Sequence, residues 1–396
     1  MQSEAARREG FALAAAVMAM VLVGALVTGG FYAATQEAHI ATSVRFAGEA
    51  LNVAEHGLNK VIGTWPLARY EAIAIGSGST VVDTLRAGST AIGEATVEVR
   101  RMSTFTYFLR STGKVIGHGR GAGSTRTVGM LVRTRRLQIH QDRAVQVLGQ
   151  LTVGGNATVD GNDRIPEGWE ESERCRNTGA HAGVVAKNAV NVDERGSGSI
   201  QGEPRVVQDA NMDTTSFTQF GDWDYDDLAA RAEKVFPGGT TVNNTVPTVL
   251  PDGECNTADR MNWGDPAHPQ GACHFYFPII HVQGDLTLNS NTRGQGILLV
   301  DGDLHIAGGY EFDGIVIVKG IVTNGGGNSV INGITMIMSN GSELGVNSET
   351  ELTGRPVVAF SSCAIQRAVE YNSGTARAFP ISERSWFDLT AAGMDL

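Results

Sequence analysis

The sequence lacks the motifs by which common enzyme classes are recognised. It contains no Gly-x-Ser-x-Gly, no His-Glu-x-x-His, no P-loop and no dinucleotide-binding fingerprint. Each of these motifs supplies a nucleophile, a zinc ligand or a phosphate-binding loop, so their absence excludes the enzymes that depend on them. We therefore predict no catalytic residue and no cofactor.

Excess positive charge is also missing. The 396 residues carry a formal net charge of −11, which removes any bulk attraction to nucleic acid or to an anionic membrane surface. Cysteines are few, and the four present include no Cys-x-x-Cys pair. A metal site is therefore not predicted, although His268 and His274 flank Cys273.

Charged residues are absent from one long segment near the N-terminus. None occurs between Glu9 and Glu37, a stretch longer than the roughly 20 residues with which a helix crosses a bilayer. The sequence therefore predicts one transmembrane segment. Arg7 and Arg8 precede it, and the positive-inside tendency places them in the cytoplasm and the rest of the chain outside.

A cleaved secretory signal is the weaker alternative for this segment. The apolar run is longer than the about 7–15 residues of a signal peptide core. Tyr32 also occupies the position where cleavage after Ala34 needs a small residue. Cleavage after Gly30 keeps the alternative open.

An apolar stripe continues beyond the membrane segment. Apolar residues from Ile40 to Val61 recur at spacings of four and three, as on one face of a helix. The pattern ends at Trp65, because the residue before a proline is pushed out of the helical conformation. We predict one helix from Phe11 to about Gly63, roughly 80 Å long. A membrane helix followed by a separate surface helix fits the same residues.

The charged stub "RREG" (Arg7–Gly10) is followed directly by "FALAAAVMAMVLVGAL" and then by the amphipathic helix. This combination resembles the N-terminus of type IV pilin-like proteins, in particular the PilX N-terminal group of minor pilins. The resemblance implies that a prepilin peptidase cuts after Gly10 and that the new N-terminus, Phe11, is methylated. It implies a single pass through the inner membrane with a cytoplasmic N-terminus, and later a place in an extracellular filament at the cell surface. The implied partners are other pilins or pseudopilins, which contact this chain through the N-terminal helix.

One position departs from that family's pattern. Many major pilins carry a glutamate five residues into the mature chain, where this sequence has Ala15. A buried carboxylate there would need a partner such as the N-terminal amine of a neighbouring subunit, and Ala15 cannot form that pair. The departure is similar to that of minor subunits at or near a filament tip, so tip placement is a hypothesis that follows from the resemblance.

Beyond the helix, β-branched or aromatic residues alternate with polar ones, which predicts an antiparallel meander. The alternation occurs in "EATVEVRRMS", "FTYFLRSTG" and "STRTVGMLVRTRR", and glycine-rich turns separate these segments. The fifty glycines of the chain also indicate many turns between short strands. The predicted sheet resembles the globular head of pilins, which covers the apolar stripe of the protruding helix.

An internal repeat marks the later part of the chain. Three segments recur every 18 residues, "VQGDLTL" at Val282, "VDGDLHI" at Val300 and "VKGIVTN" at Val318. The pair Gly-Ile recurs at Gly296, Gly314 and Gly333. Such spacing predicts a β-solenoid, in which each coil stacks its Ile, Val and Leu residues on those of the next. "VLGQLTV" at Val147 has the same form, as if a first coil were separated from the rest by an insertion. A β-sandwich with coincidental repetition is the alternative.

The predicted fold is therefore α+β and membrane-anchored. A long N-terminal helix packs on a small antiparallel sheet, and a parallel β-helix or β-solenoid follows. The predicted parts are a leader (1–10), the transmembrane half (11–36) and the amphipathic half (37–64) of the helix, a β head (65–146), a solenoid (147–381) with an insertion at about 160–275, and a C-terminal tail (382–396).

The insertion contains one predicted helix, "DWDYDDLAARAEKVFPGG", which Pro-Gly-Gly would end. Its start is acidic, with Asp222, Asp224, Asp226 and Asp227. Such a cluster is typical of a solvated first turn, whose acids suit the positive end of the helix dipole. A calcium site or paired catalytic carboxylates are the weaker interpretations.

Four cysteines, Cys175, Cys255, Cys273 and Cys363, all follow the membrane segment. An even number beyond an export signal favours disulfides. Cys255 with Cys273 is the favoured pair because it closes a loop rich in Pro, Gly and Asn, and it leaves Cys175 for Cys363. Four cysteines allow three pairings, and the sequence does not choose among them.

Basic residues gather between Glu94 and Arg136. A possible basic patch consists of Arg100, Arg101, Arg133, Arg135 and Arg136. A positive strip would form salt-dependent contacts with DNA phosphates, and some pilin systems bind DNA. The favoured interpretation is a solvated strand face that meets the acidic body of a neighbouring subunit.

These observations favour a structural minor pilin or pseudopilin over an enzyme. Pilus assembly, adhesion, motility and DNA uptake stay open as roles, as do a pilus or a type II secretion pseudopilus as its location, and a surface glycan is a possible binding target. The second hypothesis is a β-helix enzyme acting on polysaccharide, or a glycan-binding protein, with Asp301 and Asp303 along one groove. Those two aspartates more simply occupy a turn, since Gln283-Gly284-Asp285 matches them one repeat earlier. A fixed membrane protein with a solenoid receptor domain is a third hypothesis, which removal of the leader would exclude.

Overall fold

The computed structural model describes residues 5–116, 123–135, 137–169, 175–289, 292–325, 327–339, 349–372, 375, 378–382 and 385–391, with the backbone alone at 5–12 and 67–68. The chain divides into two compact units. The first consists of Met1–Thr64, Arg69–Arg133 and Phe379–Leu396, and the second of Trp65–Ala68 and Thr134–Ala378.

The described helices are α1 (Ala5–Gly63), α2 (Leu67–Glu71), α3 (Thr215–Thr218), α4 (Tyr225–Ala229) and α5 (Ser362–Glu370), with a 3-10 turn at Ala189–Asn191. The described strands are β1 (Gly78–Ala87), β2 (Thr90–Arg101), β3 (Thr106–Val115), β4 (Thr125–Thr134), β5 (Arg143–Val147), β6 (Gln150–Val153), β7 (Thr158–Asp160), β8 (Ala182–Ala186), β9 (Val192–Glu194), β10 (Ser199–Gln201), β11 (Val206–Gln208), β12 (Gln219–Phe220), β13 (Trp223–Asp224), β14 (Lys234–Pro237), β15 (Thr240–Val242), β16 (Ile279–Gln283), β17 (Leu286–Leu288), β18 (Thr292–Val300), β19 (Leu304–Ile306), β20 (Tyr310–Val318), β21 (Val322–Asn324), β22 (Val330–Ile337), β23 (Glu349–Leu352), β24 (Val357–Phe360), β25 (Ala378–Pro380) and β26 (Trp386–Asp388).

The N-terminal helix α1 is one continuous element of 59 residues, roughly 90 Å long at about 1.5 Å per residue. The structure therefore has a single long helix and not a membrane helix followed by a separate surface helix. An 18-residue stretch within Leu13–Gly63 has a mean hydropathy of 2.2, and none of it is buried. The second half of α1 packs on β2 and β3. Its contact side chains Ala50, Val53, Ala54 and Leu58 are at most 4% exposed, so the predicted packing of helix on sheet is confirmed.

The sheet of the first unit is antiparallel, with the order β1-β2-β3-β4. Every second side chain along β2 and β3 faces the helix, and Val97, Val99 and Leu109 are fully buried. This burial pattern is the alternation that predicted a meander. The chain later returns to this sheet, where β25 and β26 both pair with β4 and Phe387 lies opposite Gly129.

The second unit is built mainly from parallel strands in two long sheets. One sheet runs β14-β16-β18-β20-β22 and continues from β22 through β5 to β8 and β11, and through β24 to β7 and β10. The other runs β15-β17-β19-β21-β23-β6-β9. Ile297, Ile315 and Ile334 are neighbours in three successive coils, so each coil buries its apolar side chains on the next. The predicted parallel β-solenoid is confirmed, and the β-sandwich alternative does not fit.

Glycines form a ladder at one corner of these coils. Gly296, Gly314 and Gly333 lie in register and have φ angles of 113°, 145° and 138°. Residues with a side chain rarely adopt this conformation, and a Cβ on Gly314 would lie 2.1 Å from the carbonyl oxygen of Gly296. The Gly-Ile repeat of the sequence therefore marks a corner where neighbouring coils approach too closely for a side chain.

The order of the coils in space differs from their order in the chain. The coil of β5 and β6, which contains Val147, stacks against β22 and β23 at the end of the 18-residue repeats. The chain thus builds one end of the stack, returns through residues 209–233 to the other end, and then builds back toward its first coil. This return segment contacts the coils, since Gln146 Nε2 donates a hydrogen bond to the carbonyl oxygen of Ser216 at 3.0 Å.

The helix predicted within the return segment is shorter than expected. α4 ends at Ala229, and the residues predicted to form its last turns instead form β14, which pairs with β16. Phe236 is 4% exposed in this strand. Burial in the stack outweighs the helical propensity of the segment, which is a weak preference that tertiary packing commonly overrides.

Candidate functional site

The exposed first half of α1 is the surface with the clearest functional consequence. Its large apolar side chains are open to solvent, for example Met20 (75%), Leu26 (75%) and Phe31 (72%). Soluble monomers rarely leave so continuous an apolar surface uncovered, so this half of the helix requires a membrane or other apolar helices around it. The backbone is helical through Gly10 and Phe11, while the side chains at this predicted processing site lie outside the described residues.

Ala15 lies on the same exposed surface. Its methyl group offers neither a charge nor a hydrogen bond to a neighbouring chain. The helix is therefore purely apolar at the position where many major pilins carry a carboxylate.

Small residues determine how closely the second half of α1 approaches the sheet. Ser111 Oγ in β3 donates a hydrogen bond to the carbonyl oxygen of Ala54 at 2.7 Å. A Cβ on Gly113 would lie 2.3 Å from the carbonyl oxygen of Ala50 and 2.3 Å from the amide nitrogen of Ala54. The helix backbone thus rests directly on the strands, which fixes the exposed half of α1 relative to the sheet of its own unit.

Two disulfides tie the second unit, and they have the pairing that the sequence favoured. Cys255 pairs with Cys273 across a Cα–Cα distance of 4.9 Å, and Cys175 pairs with Cys363 across 4.6 Å. Disulfides persist in oxidising compartments, so both are consistent with a unit exposed outside the cytoplasm.

Cys273, His268 and His274, which were considered as metal ligands, each have another bonding partner in the structure. Cys273 is bonded to another cysteine. His268 Nδ1 shares a hydrogen bond with Asp265 Oδ1 at 2.8 Å, and His274 Nε2 lies 3.0 Å from Arg367 Nη1. Within the described ranges, no group of three or more His, Cys, Asp or Glu residues is placed to hold a metal ion.

Asp303 links successive coils through its turn. Its Oδ1 accepts a hydrogen bond from the amide of Ile321 at 2.9 Å, and its own amide donates to Asp285 Oδ1 at 2.9 Å. Asp285 and Asp303 occupy matching positions in successive repeats, and each accepts a hydrogen bond from a backbone amide of the next coil. Asp303 therefore lies in a turn, as its match with Asp285 in Gln283-Gly284-Asp285 indicated.

Asp301 belongs to a charged cluster that fastens the return segment. Its carboxylate shares a hydrogen bond with His281 Nε2 at 2.8 Å and accepts one from Lys319 Nζ at 2.9 Å. Burial raises the pKa of Asp301, but these hydrogen bonds from Lys319 and His281 outweigh it and hold the pKa below its usual value. Lys319 Nζ also lies 3.9 Å from the ring centroid of Tyr225 in the return segment. Asp301 and Asp303 therefore have separate structural partners and do not form a pair of free carboxylates.

The acidic residues at the start of α4 cap the helix and form hydrogen bonds. Asp224 is the N-cap, and its Oδ1 accepts a hydrogen bond from the amide of Asp227 at 2.6 Å. Asp227 Oδ2 accepts one from Arg135 Nη1 at 3.1 Å. Asp226 lies in the first turn and Asp222 precedes it, as expected for acids at the positive end of a helix.

The residues of the predicted basic patch are distributed over both units. Arg100, Arg101 and Arg133 belong to the first unit and Arg135 to the second, while Arg136 lies outside the described residues. Arg101 Nη1 donates to the carbonyl oxygens of Glu71 at 2.6 Å and Ile73 at 3.0 Å, so it holds a loop. Arg135 has the ion pair with Asp227 described above.

Neighbouring acids also reduce the positive charge of the sheet surface. Arg110 lies opposite Glu98, and Lys114 lies opposite Glu94, in the register of β2 with β3. Opposite charges on paired strands attract one another. Less free charge is therefore left for a phosphate backbone than a count of arginines and lysines suggests.

A polar stack inside the solenoid was not predicted. Gln295, Asp313 and Asn332 lie in register in three successive coils and are 0%, 1% and 6% exposed. Asn332 Nδ2 donates a hydrogen bond to Asp313 Oδ1 at 2.8 Å. Burial raises the pKa of Asp313 to about 7, against the opposing effect of that hydrogen bond. The available signal was that all three polar residues directly precede the glycines of the Gly-Ile repeat.

Because of Asp313, we expect part of the stability of the second unit to be lost as the pH rises from about 4 to 7. The ordinary carboxyl pKa is 3.8, so between these values the folded chain keeps a proton that the unfolded chain has released, and stability falls with pH. Asp313→Asn should remove this loss, since an amide continues the stack without ionising. Thermal unfolding followed by tryptophan fluorescence at pH 4.5 and pH 8 measures the difference, and an identical pH dependence in both proteins would contradict it.

No protein-family model matches the chain, and a comparison with curated proteins finds no match. Among solved structures, the chain is similar to the competence-associated pilin ComZ from Thermus thermophilus, with 11% sequence identity and a TM-score of 0.25 over 86% of this chain and 97% of that chain.

Proposed function

We propose that this protein is a minor pilin or pseudopilin, a non-enzymatic subunit of a type IV pilus or a related filament. The observation that carries the proposal is α1, a continuous helix whose apolar first half is uncovered and whose second half is fixed on an antiparallel sheet. Such a helix can cross a membrane as a single anchor and later pack against the apolar helices of neighbouring subunits. Asp301 and Asp303 are hydrogen-bonded to neighbouring coils, which supports a structural role over the polysaccharide-cleaving alternative.

In this proposal the N-terminal leader is cleaved off and the solenoid is exposed on the filament surface. Residues 1–10 form the cytoplasmic leader, and a prepilin peptidase cuts between Gly10 and Phe11. Residues 11–36 lie in the inner membrane and then in the filament core. The solenoid is displayed outward, where its disulfides suit an oxidising environment.

The absence of a carboxylate at Ala15 supports a position at or near the filament tip. A subunit at the tip has no earlier neighbour whose N-terminal amine would need that charge. Immunogold labelling of native filaments should therefore place this protein at filament ends. Uniform labelling along the shaft would contradict tip placement and leave the filament role intact.

Mass spectrometry of the N-terminal peptide from the native envelope tests the proposal directly. The expected result is a chain that begins at an N-methylated Phe11. An intact Met1 would overturn the proposal in favour of a fixed membrane anchor. A start after Gly30 would overturn it in favour of a released extracellular protein.

A further inference from the structure

The larger sheet of the second unit ends at strands that have one unpaired side among the described residues. One of them is β10, which pairs only with β7 among the described strands. The unpaired side of such a strand presents N–H and C=O groups that can pair with another chain. The groups that occupy the free side of β10 therefore determine whether a further strand can be added at this end of the stack.

Ile200 is the residue of β10 whose backbone points to the free side. The amide of Ser199 donates a hydrogen bond to the carbonyl oxygen of Ala157, and the carbonyl oxygen of Gln201 accepts one from the amide of Gly161, both at 2.9 Å. Ser199 and Gln201 therefore bond to the neighbouring coil. Because successive residues of a strand direct their backbone groups to opposite sides, the N–H and C=O of Ile200 point away from that coil.

Two charged side chains of the same coil occupy this free side. Glu194 Oε1 accepts a hydrogen bond from the amide of Ile200 at 2.5 Å, and Arg205 Nε donates one to the carbonyl oxygen of Ile200 at 2.7 Å. Arg205 Nη2 also donates to Glu194 Oε1 at 2.6 Å, so the carboxylate and the guanidinium hold each other in place. Ile200 thus receives one acceptor and one donor, the same two bonds that an added strand would give it.

Folding stability does not explain why this ion pair lies on the edge of the sheet. The side chain of Arg205 is 59% exposed and that of Glu194 is 33% exposed, and ion pairs open to water contribute little to stability. Water can also satisfy the N–H and C=O groups of an open edge strand. The consequence that is particular to this pair is that it denies Ile200 to another strand.

We propose that Glu194 and Arg205 form an edge cap that prevents a second copy of this chain from pairing its own β10 with the β10 of the first. The excluded partner is a second copy because every copy carries the same edge, and two identical edges can pair about a two-fold axis. The cap keeps neighbouring solenoids apart wherever several copies are displayed together. This role does not depend on whether the chain is a pilin.

The opposite end of the same sheet carries a similar contact. The last strand there is β14, and the carbonyl oxygen of its Val235 accepts a hydrogen bond from Arg260 Nη2 at 2.5 Å. Arg260 belongs to the loop that the disulfide between Cys255 and Cys273 closes. Opening the β10 end alone should therefore give a closed dimer and not a fibre, since head-to-tail stacking would also need the β14 end.

Native mass spectrometry of the full chain in detergent counts the protomers in each particle and so tests the edge cap. Glu194→Ala combined with Arg205→Ala frees both backbone groups of Ile200, and we expect the protomer number to double relative to the unaltered chain at the same concentration. Hydrogen exchange should then become slower in the peptide that contains β10, because the new pairing protects it. The thermal unfolding midpoint should stay within about 4 °C of that of the unaltered chain.

Two control variants separate the cap from its charges. Asp193→Ala combined with Arg195→Ala removes another exposed ion pair of the same coil, whose hydrogen bond joins the two side chains to each other at 2.8 Å. Glu194→Gln removes a charge but keeps an oxygen for the amide of Ile200. Both controls should keep the protomer number of the unaltered chain. The edge cap would be overturned by doubling in either control, by doubling without protection of β10, or by an unchanged protomer number when Glu194 and Arg205 are both alanine.

Discussion

Gly314→Ala should destabilise the second unit by about 3 kcal/mol or more. The new methyl group would lie 2.1 Å from the carbonyl oxygen of Gly296, and this oxygen belongs to the backbone of the neighbouring coil. The φ of Gly314 is 145°, so alanine is also strained at this position. Relief would require the two coils to separate and would break hydrogen bonds between β18 and β20.

Thermal unfolding of the detergent-solubilised chain measures this effect. Four of the five tryptophans lie in the second unit, so their fluorescence mainly reports its unfolding. A loss of about 3 kcal/mol should lower the midpoint by roughly 6–12 °C in a unit of this size.

Gly239→Ala separates backbone strain from the clash between coils. Gly239 has a φ of 74°, and among the described residues no neighbouring atom lies within 4 Å of the position of its Cβ. Its substitution should cost only the about 1–2 kcal/mol of the left-handed conformation. Equal midpoints for the two variants would show that contact between coils does not limit stability.

The 18-residue repeat was sufficient to predict the solenoid. Each Gly-Ile pair marks a corner where only glycine fits and an adjacent position that is buried in every coil, so the requirements of packing are visible in the sequence. The antiparallel sheet and the unbroken helix were predictable for a similar reason. Their periodicities of two and of about 3.6 follow from burial of one face.

The order of the coils was not predictable from the same repeat. Val147 begins a coil with the same pattern as the later ones, and any coil can stack on any other with that pattern. The observed arrangement includes contacts of the return segment with the first coil, such as that of Gln146 with Ser216. Those contacts join single residues about 70 positions apart, and such isolated pairs have no periodicity. The pairing of β26 with β4 is similarly remote in sequence.

The exposed helix surface could be predicted, whereas the role of individual charges could not. The run without charge between Glu9 and Glu37 defines the surface by composition alone. By contrast, the function of Arg101 depends on which loop carbonyl oxygens lie beside it, and that of Asp301 on the neighbouring coils. The sequence shows that Asp313 occupies a repeated polar position before a glycine, but it does not show that this position is buried. Which face of a strand points inward cannot be read from the repeat alone.

Gly113→Ala should release the second half of α1 from the sheet. Its methyl group would lie 2.3 Å from backbone atoms of Ala50 and Ala54, which cannot move aside as a side chain can. The helix would have to lift, which breaks the hydrogen bond from Ser111 and uncovers apolar side chains. We expect the first unit to lose about 3 kcal/mol. Hydrogen exchange of the full-length chain in detergent should become much faster in peptides from β2 and β3.

Two further sets of variants test this contact between helix and sheet, a control at Gly48 and a rescue at Gly57 and Ala95. Among the described residues nothing lies within 4 Å of a Cβ on Gly48, so Gly48→Ala should exchange no faster than the unaltered chain, since alanine favours a helix over glycine by about 1 kcal/mol. A Cβ on Gly57 would lie 2.4 Å from the Cβ of Ala95, which a second substitution can remove. Gly57→Ala combined with Ala95→Gly should therefore recover most of the protection that Gly57→Ala loses, despite the about 0.5–1 kcal/mol that glycine costs in a strand. Undiminished protection in Gly113→Ala, together with no rescue in the double variant, would show that close packing on the sheet does not hold α1 in place.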